Sequence, residues 1–208
     1  MLLRIHPDNP DERKIRQAIS IIQQQGVVVI PTDTVYSYAC ELGSMKGLER
    51  LARIKQIPLD KAQFSIVCAD LSQLSAFTKP LSSSLFKVMR KVLPGPYTFI
   101  LPANSKVPKW FTGKRKDIGI RVPDHPVTQA LLRELQRPLV VTSVRDTDAI
   151  LEYTTDPELI EERTRDVVDA VIDGGMGALH ASTVIDCTKQ NPTLVRAGLG
   201  ETDGLFSF

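Results

Sequence analysis

The chain has 208 residues, of which 42% are hydrophobic and 24% charged, a balance typical of a soluble globular domain with a sizeable core. No apolar run approaches a membrane span, the N-terminus lacks the apolar core of a secretory signal, and Cys40, Cys68 and Cys187 read as buried free thiols, so we expect a cytoplasmic protein. A net charge of +2 does not by itself indicate a nucleic-acid binder, and the scattered histidines and cysteines argue against a transition-metal site.

The first half of the chain alternates helical and extended patterns. Apolar spacing predicts an amphipathic helix over 11–25 with Asn9 as its cap, and Gly26 ends it. The β-branched run from Val27 to Ile30 predicts a strand buried on both faces. Next come a helix capped by Ser44 that runs out before Pro58, a strand over 64–68, a short helix over 70–76 and a helix over 82–92.

The second half predicts more strands than helices. Strands are expected over 97–101, 118–122, 139–142, 167–172, 183–187 and 193–195, with helices over 126–135 and 155–165. Several strands follow one another through short loops, and neither GxGxxG nor a P-loop is present. We therefore expect one α/β domain over 1–208, with a mixed sheet rather than a Rossmann fold, a mobile loop at 145–155 and a loose tail or pocket cover at 198–208.

Three hydroxyls follow the first predicted strand. If the chain stays extended after Pro31, Thr32, Thr34 and Tyr36 share one face. Ligands bind beyond strand ends in open α/β sheets, so this row fits a binding site. It fits a polar turn leaving a core strand equally well.

Other polar groups lie at the ends of predicted elements, and Arg121, inside an apolar run, is the most informative of them. A buried arginine needs a partner, because an unpaired buried charge is very costly. Together with Lys55 and Arg196 it would suit a phosphate or carboxylate, whereas internal pairing with Asp33, Asp124 or Asp186 is the simpler interpretation. The remaining polar residues of this kind are Thr98, Ser143, Ser182 and Thr183.

A basic cluster surrounds the only tryptophan, Trp110. It consists of Lys109, Lys114, Arg115 and Lys116. Such a cluster could meet nucleic-acid phosphates, or it could be a solvated loop anchored by the tryptophan.

No nucleophile stands out, because the chain has no GxSxG elbow and no recognisable Ser-His-Asp spacing. This favours chemistry by positioning and charge neutralisation, as in phosphoryl or nucleotidyl transfer.

Seven short segments together resemble the YrdC/YciO family, which includes the threonylcarbamoyl-AMP synthases. The segments are PTDTVY at 31–36, RIK at 53–55, PGPYTFIL at 94–101, GIRVPDHP at 119–126, TS at 142–143, STVID at 182–186 and VRAG at 195–198. They occur in the family's order and cover nearly all of the chain. The resemblance implies a twisted open sheet of mixed strands with a large basic concave face.

The resemblance also implies an activity and a set of partners. Synthases make threonylcarbamoyl-AMP from threonine, bicarbonate and ATP with Mg²⁺, release pyrophosphate, and supply the threonylcarbamoyladenosine modification of tRNA. It implies binding of tRNA or double-stranded RNA, for which the basic cluster is the candidate surface, and no tightly bound cofactor or metal. It is silent on oligomeric state.

Carried over by motif, the resemblance assigns roles to the residues above. Thr32, Thr34 and Tyr36 would hold the amino acid, Arg121 its carboxylate, and Lys55 and Arg121 would be catalytic. The residues implied at the phosphates or the nucleotide are Lys55, Thr98, Ser143, Ser182 and Arg196, and Ser182 would also touch the amino acid.

The chain departs from the synthase pattern at three positions. Ile57 replaces the arginine of Lys-x-Arg, Arg145 replaces the asparagine of Ser-x-Asn, and Ser37 replaces a glycine. Losing a cation at a triphosphate should weaken ATP binding by roughly tenfold or more, unless Arg145 supplies a substitute charge. These departures place the chain nearer the YciO branch, so an RNA-binding protein with little or no synthase activity is the alternative.

Overall fold

Residues 1–113, 115–144 and 154–206 are described by the computed structural model of the chain. Their strands are β1 (Leu2–Arg4), β2 (Val28–Ile30), β3 (Ser37–Glu41), β4 (Ser65–Val67), β5 (Tyr97–Pro102), β6 (Asp117–Arg121), β7 (Leu139–Ser143), β8 (Ala170–Asp173), β9 (Thr183–Asp186) and β10 (Thr193–Arg196). Their helices are α1 (Glu12–Gln23), α2 (Met45–Ile54), α3 (Leu71–Ser75), α4 (Ser83–Val92), α5 (Lys109–Thr112), α6 (Pro126–Leu135) and α7 (Pro157–Thr164).

The strands form one sheet in the order β1-β8-β2-β3-β7-β4-β6-β5-β9-β10. Four neighbouring pairs are parallel, namely β1 with β8, β2 with β8, β4 with β6, and β5 with β9, and the other pairs are antiparallel. The predicted mixed α/β sheet is confirmed. No helix in the described ranges is long and apolar enough to cross a membrane.

Side-chain caps fix where the main helices start. Ser44 accepts a hydrogen bond from a backbone N–H of the following helix, as predicted, and Asp70 and Ser82, which were expected to be the first residues of their helices, do the same. The prediction of Asn9 as the cap of α1 was wrong. Asp11 caps it instead, accepting from the N–H groups of Arg13 and Lys14 at 2.8 and 3.3 Å.

Two strands carry little local signal and were not predicted. β1 is only three residues long, and its partner β8 lies far away in the sequence. β3 mixes Ser, Ala and Glu with only one β-favouring residue, Tyr38, yet it lies buried between β2 and β7. Pairing on both sides stabilises it despite its composition.

Alternation along the strands separates two faces of the sheet. On one face, side chains such as Ile118 and Ile120 pack in a core that α2, α3, α4, α5 and α7 cover. On the other face, α1 and α6 pack over strands from β1 to β7 in a second core that includes Ile30 and Val141. The same face of β4, β6, β5 and β9 continues beyond those helices, and this uncovered part of the sheet positions the candidate site.

Candidate functional site

A cavity of about 580 Å³ lies on the uncovered face of the sheet. Its lining combines hydroxyls, amides, charged groups and several aliphatic side chains. The lining residues used below are Thr34, Ser37, Gln63, Ser65, Thr98, Arg115, Asp117, Gly119, Arg121, Ser143, Ser182, Val195 and Arg196. They come from seven different strands or their flanking segments, so the folded sheet is needed to bring them together.

Arg121 lies in the cavity wall and is also paired internally. Its Nη2 donates to Oδ1 of Asp33 at 2.8 Å and to Oγ1 of Thr34 at 3.1 Å. Only 6% of the arginine is exposed. The simpler of our two interpretations, an ion pair with Asp33, is therefore present, and the guanidinium still faces the cavity.

The electrostatic surroundings of Arg121 favour an anionic ligand. Burial lowers the pKa of Arg121 below its ordinary value, the Asp33 carboxylate opposes this, and the charge of Arg196 adds to the lowering. Two guanidinium groups that repel each other across one cavity are both stabilised when an anion enters.

The predicted row of three hydroxyls is only partly formed. Residues 33–35 form bends, so the segment 31–36 is not an extended strand. Thr32 Oγ1 lies 3.0 Å from Thr34 Oγ1 and donates to the carbonyl of Val35. Thr34 lines the cavity, and Thr32 holds it in place.

The structure does not bring Tyr36 to the cavity. Its hydroxyl donates to the carbonyl of Gly175 at 2.7 Å and accepts from the N–H of Gly174 at 3.2 Å. Because the backbone turns instead of staying extended, the tyrosine points into the core, and burial raises its pKa above the ordinary value. The predicted contact of Tyr36 with the amino acid therefore has no support in this geometry.

The last two strands bring Ser182 and Arg196 together. Arg196 donates from Nε and Nη2 to the carbonyl of Ser182 at 3.2 and 2.8 Å, and Thr98 Oγ1 lies 2.8 Å from Ser182 Oγ. A bulge between Leu194 and Arg196 turns the consecutive residues Val195 and Arg196 to the cavity.

Ser143 lines another part of the wall, and Lys55, which is not among the lining residues, contacts it. Lys55 follows the last turn of α2, and its Nζ donates to the carbonyl of Ser143 at 3.2 Å. Gln56 has a φ of 53°, which turns the chain away after the lysine, and Ile57 lies at the surface. Arg145, the predicted substitute cation, lies outside the described residues.

The basic cluster is divided by the structure. Lys109, Lys116 and Trp110 are exposed, and Phe111, rather than the tryptophan, anchors the segment in the core. Arg115 lines the cavity, whereas Lys114 lies outside the described residues. The interpretation of Trp110 as the anchor was wrong.

Sequence reasoning missed the floor of the cavity. Ser37, Gln63, Ser65, Asp117 and Gly119 all line it. The period of two along β6 was an available signal, because it places Asp117 and Gly119 on the same face as Arg121. Gly119 keeps the floor low, since a Cβ there would lie 2.7 Å from Oγ of Ser65.

The segment after β10 is hydrogen-bonded to the wall beside Ser182. The N–H of Gly198 donates to Oγ1 of Thr183, and the N–H of Leu199 donates to the carbonyl of Ala181. Leu205 and Phe206 pack against the core. Within the described ranges, no group of three or more His, Cys, Asp and Glu side chains could hold a metal ion.

Comparison with known proteins gives a family match over most of the chain. The model of the Sua5/YciO/YrdC family, described as "Telomere recombination", matches residues 20–198. The uncharacterized protein YciO of Escherichia coli (strain K12) is 42% identical over 199 residues, which cover 95% of each chain. A threonylcarbamoyl-AMP synthase of Vibrio vulnificus (strain YJ016) is 30% identical over 173 residues, covering 82% of this chain and 91% of the synthase.

Two crystal structures extend this similarity to the fold. That of E. coli YciO superposes with a TM-score of 0.92 at 39% identity, covering 100% of this chain and 99% of the other. That of P. abyssi Sua5 complexed with L-threonine gives a TM-score of 0.86 at 27% identity, covering 95% of this chain and 57% of Sua5. The mixed open sheet is therefore a shared fold.

Proposed function

This chain belongs to the Sua5/YciO/YrdC family, and we propose that it is a threonylcarbamoyl-AMP synthase-like nucleotidyltransferase. The observation that carries the proposal is the convergence of Thr34, Arg121, Ser182 and Arg196, from distant parts of the chain, on one cavity. The synthase homologues and the threonine complex of Sua5 support the class of substrate.

The proposed reaction joins threonine, bicarbonate and ATP. The threonine amine and bicarbonate give a carbamate with loss of water, and a carbamate oxygen attacks the α-phosphorus of ATP. The bond from the α-phosphorus to the bridging oxygen breaks, and pyrophosphate leaves. ATP brings Mg²⁺, which offsets charge on the phosphates.

The side chains of this protein position the reactants. Arg121, held by Asp33, binds the threonine carboxylate, with the Thr34 hydroxyl beside it. Ser182 and Arg196 bind the acid or phosphate oxygens nearby, and Lys55 with Ser143 binds the nucleotide phosphates. Fixed cations in a partly buried cavity stabilise charge that develops in the transition state.

Pyrophosphate release tests the function directly. ATP, threonine and bicarbonate are supplied together and then each is omitted in turn. Release that needs all three supports the synthase, and adenylated product is identified by mass spectrometry. Release that continues without threonine would reject it in favour of simple ATP hydrolysis.

A second candidate function is binding of tRNA or double-stranded RNA with little or no catalysis. The exposed Lys109, Lys116 and Trp110, together with Ile57 in place of a cation, favour it. Binding of a labelled RNA duplex is expected to weaken steeply between 50 and 200 mM salt, as it does for proteins with several phosphate contacts (about tenfold or more). An RNA affinity that does not change with salt would count against this surface. So would an unchanged RNA affinity in the double variant Lys109→Ala/Lys116→Ala.

A further inference from the structure

We propose that Arg115 and Asp117 form a subsite for the magnesium-bound pyrophosphate group of ATP, so that Arg115 belongs to the catalytic cavity and not to an RNA surface. This inference rests on the proposed use of ATP and names residues outside the matching motifs. Both side chains line the same cavity as Arg121 and Arg196.

Strand geometry places the pair at a distance from Arg121. Along β6, Asp117, Gly119 and Arg121 alternate with the core residues Ile118 and Ile120 and share the cavity face. Arg115, two residues before the strand, lines the same cavity. Asp117 and Arg121 are four residues apart on β6, or about 13 Å between their Cα atoms at the usual rise per residue. A ligand that reaches both ends must be elongated, and Gly119 leaves the floor between them clear.

The register of the sheet puts the phosphate-binding candidates at the Asp117 end. Gly119 pairs with Ser65, which pairs with Val141 in β7. Moving two residues along each strand sets Asp117 beside Gln63 and Ser143. Lys55 contacts the carbonyl of Ser143, so its ammonium approaches the same end.

The polar atoms of the pair are less engaged than those of the other arginines in the wall. Arg121 is held by Asp33 and Thr34, and Arg196 by Ser182. Arg115 makes one long hydrogen bond, 3.5 Å, from Nη2 to the carbonyl of Phe111. The Asp117 carboxylate accepts no hydrogen bond and forms no ion pair within the part of the chain that the structure describes.

Opposite charges on neighbouring cavity positions suit a phosphate that carries a metal ion. A guanidinium binds phosphate oxygens as a two-pronged donor. A lone carboxylate repels a bare phosphate, but Mg²⁺ is typically held by one or two carboxylates together with substrate phosphates. Arg115 also adds a cation to the cavity of a chain that has Ile57 in place of a motif arginine.

Calorimetric titration with pyrophosphate, in the presence and absence of Mg²⁺, tests the subsite without threonine, bicarbonate or turnover. We expect Arg115→Ala to weaken magnesium pyrophosphate by about tenfold or more, and Arg115→Lys to restore part of it. Asp117→Asn should weaken the magnesium complex while leaving metal-free pyrophosphate unchanged or tighter. Arg90→Ala, an exposed arginine outside the cavity, is the matched control and should bind like the parent.

Three results would overturn the inference: no binding of magnesium pyrophosphate by the parent, equal binding by Arg115→Ala, or an Asp117→Asn effect that is the same with and without Mg²⁺. The outcome is separable from that of the proposed function. Arg115-dependent binding in a protein that never releases pyrophosphate would keep the subsite and reject the synthase. Threonine-dependent release that Arg115→Ala leaves intact would do the reverse.

Discussion

Asp33 and Arg121 show how one residue pair serves both the fold and the cavity. Asp33 Oδ2 and Arg121 Nε are buried and have no partner within the described ranges, although the two side chains share one hydrogen bond. A buried pair of this kind adds little net stability while intact, but removal of one partner leaves an uncompensated charge. Removal of the arginine is therefore expected to destabilise the protein, even though the intact pair adds little stability.

A double-mutant cycle tests this dependence. Arg121→Met should lower the free energy of unfolding by about 3–5 kcal/mol, because the Asp33 carboxylate stays buried alone. Adding Asp33→Asn should recover part of that loss, although neither variant retains the guanidinium. Urea denaturation measures these two proteins and the single Asp33→Asn variant that completes the cycle, with Arg90→Ala expected within about 0.5 kcal/mol of the parent. Strictly additive losses would contradict the uncompensated-charge explanation.

His125 predicts a pH dependence of stability. Burial lowers its pKa below the ordinary value, although Asp33 and Asp124 oppose this, and its Nδ1 has no partner in the described structure. The unfolded chain then binds a proton that the folded one does not, so the free energy of unfolding should fall as pH drops below about 6.5. His125→Gln should show a shallower fall between pH 7 and 5 in urea titrations. Parallel curves for the two proteins would refute this assignment.

At the scale of elements, β9, β10 and the segment after them form one wall of the cavity. The segment lies close to the backbone of residues 181–182: a Cβ on Gly198 would lie 2.3 Å from the carbonyl oxygen of Ala181 and 2.5 Å from the carbonyl carbon of Ser182. Backbone atoms cannot rotate away as a side chain can. Glycine is therefore required here for close approach.

Gly198→Ala should displace this segment from the wall. We expect a loss of roughly 1–3 kcal/mol in stability, as for other overpacked sites, and weaker nucleotide binding because Ser182 moves with its backbone. Gly43→Ala is the control, since its Cβ would meet nothing closer than 3.8 Å. Thermal unfolding and nucleotide titration measure the two effects. A Gly198→Ala protein as stable as the Gly43→Ala protein would show that the wall yields easily.

Sequence patterns predicted the elements unevenly, for physical reasons. β2, α6 and the cap Ser44 follow from local chemistry, namely β-branched runs, helical spacing and side-chain acceptors. β1 and β3 depend on partner strands elsewhere in the sheet, so no local sequence pattern predicts them. The turn over 31–36 depends on the hydrogen bonds of Thr32, and a reading based on alternation alone could not foresee it.

The candidate site was predictable to the extent that charge inside an apolar strand is informative. Arg121 met that criterion, and its neighbours on β6 were recoverable from alternation. Arg115 could not be predicted as a site residue, because its position beside Lys116 suggests a surface cluster. Only the folded structure places it in the cavity lining. The predicted contact of Tyr36 with the amino acid could not be corrected from the sequence, because the partner of its hydroxyl, Gly175, lies far along the chain.

For the whole molecule, the three thiols report on one core. Cys40, Cys68 and Cys187 are free and buried in the same cluster, and burial raises the pKa of Cys40 and Cys187 to about 12 and also raises that of Cys68. At pH 8 they should remain protonated and inaccessible, so alkylation requires opening of the core.

Iodoacetamide labelling followed by mass spectrometry checks this. All three cysteines are expected to react slowly and at similar rates in the folded protein, and within minutes in urea. One cysteine that labels far ahead of the others would mean that its part of the core opens independently.

The strand order also has a consequence for synthesis on the ribosome. Among the described strands, β1 pairs only with β8, and β5 receives its outer neighbour β9 from residues 183–186. Translation must pass residue 173 before the first strand finds its partner, and residue 196 before Arg196 can reach the cavity. The nascent chain therefore exposes an incomplete sheet until late in elongation. A nascent chain that lacks Arg196 also lacks part of the cavity wall.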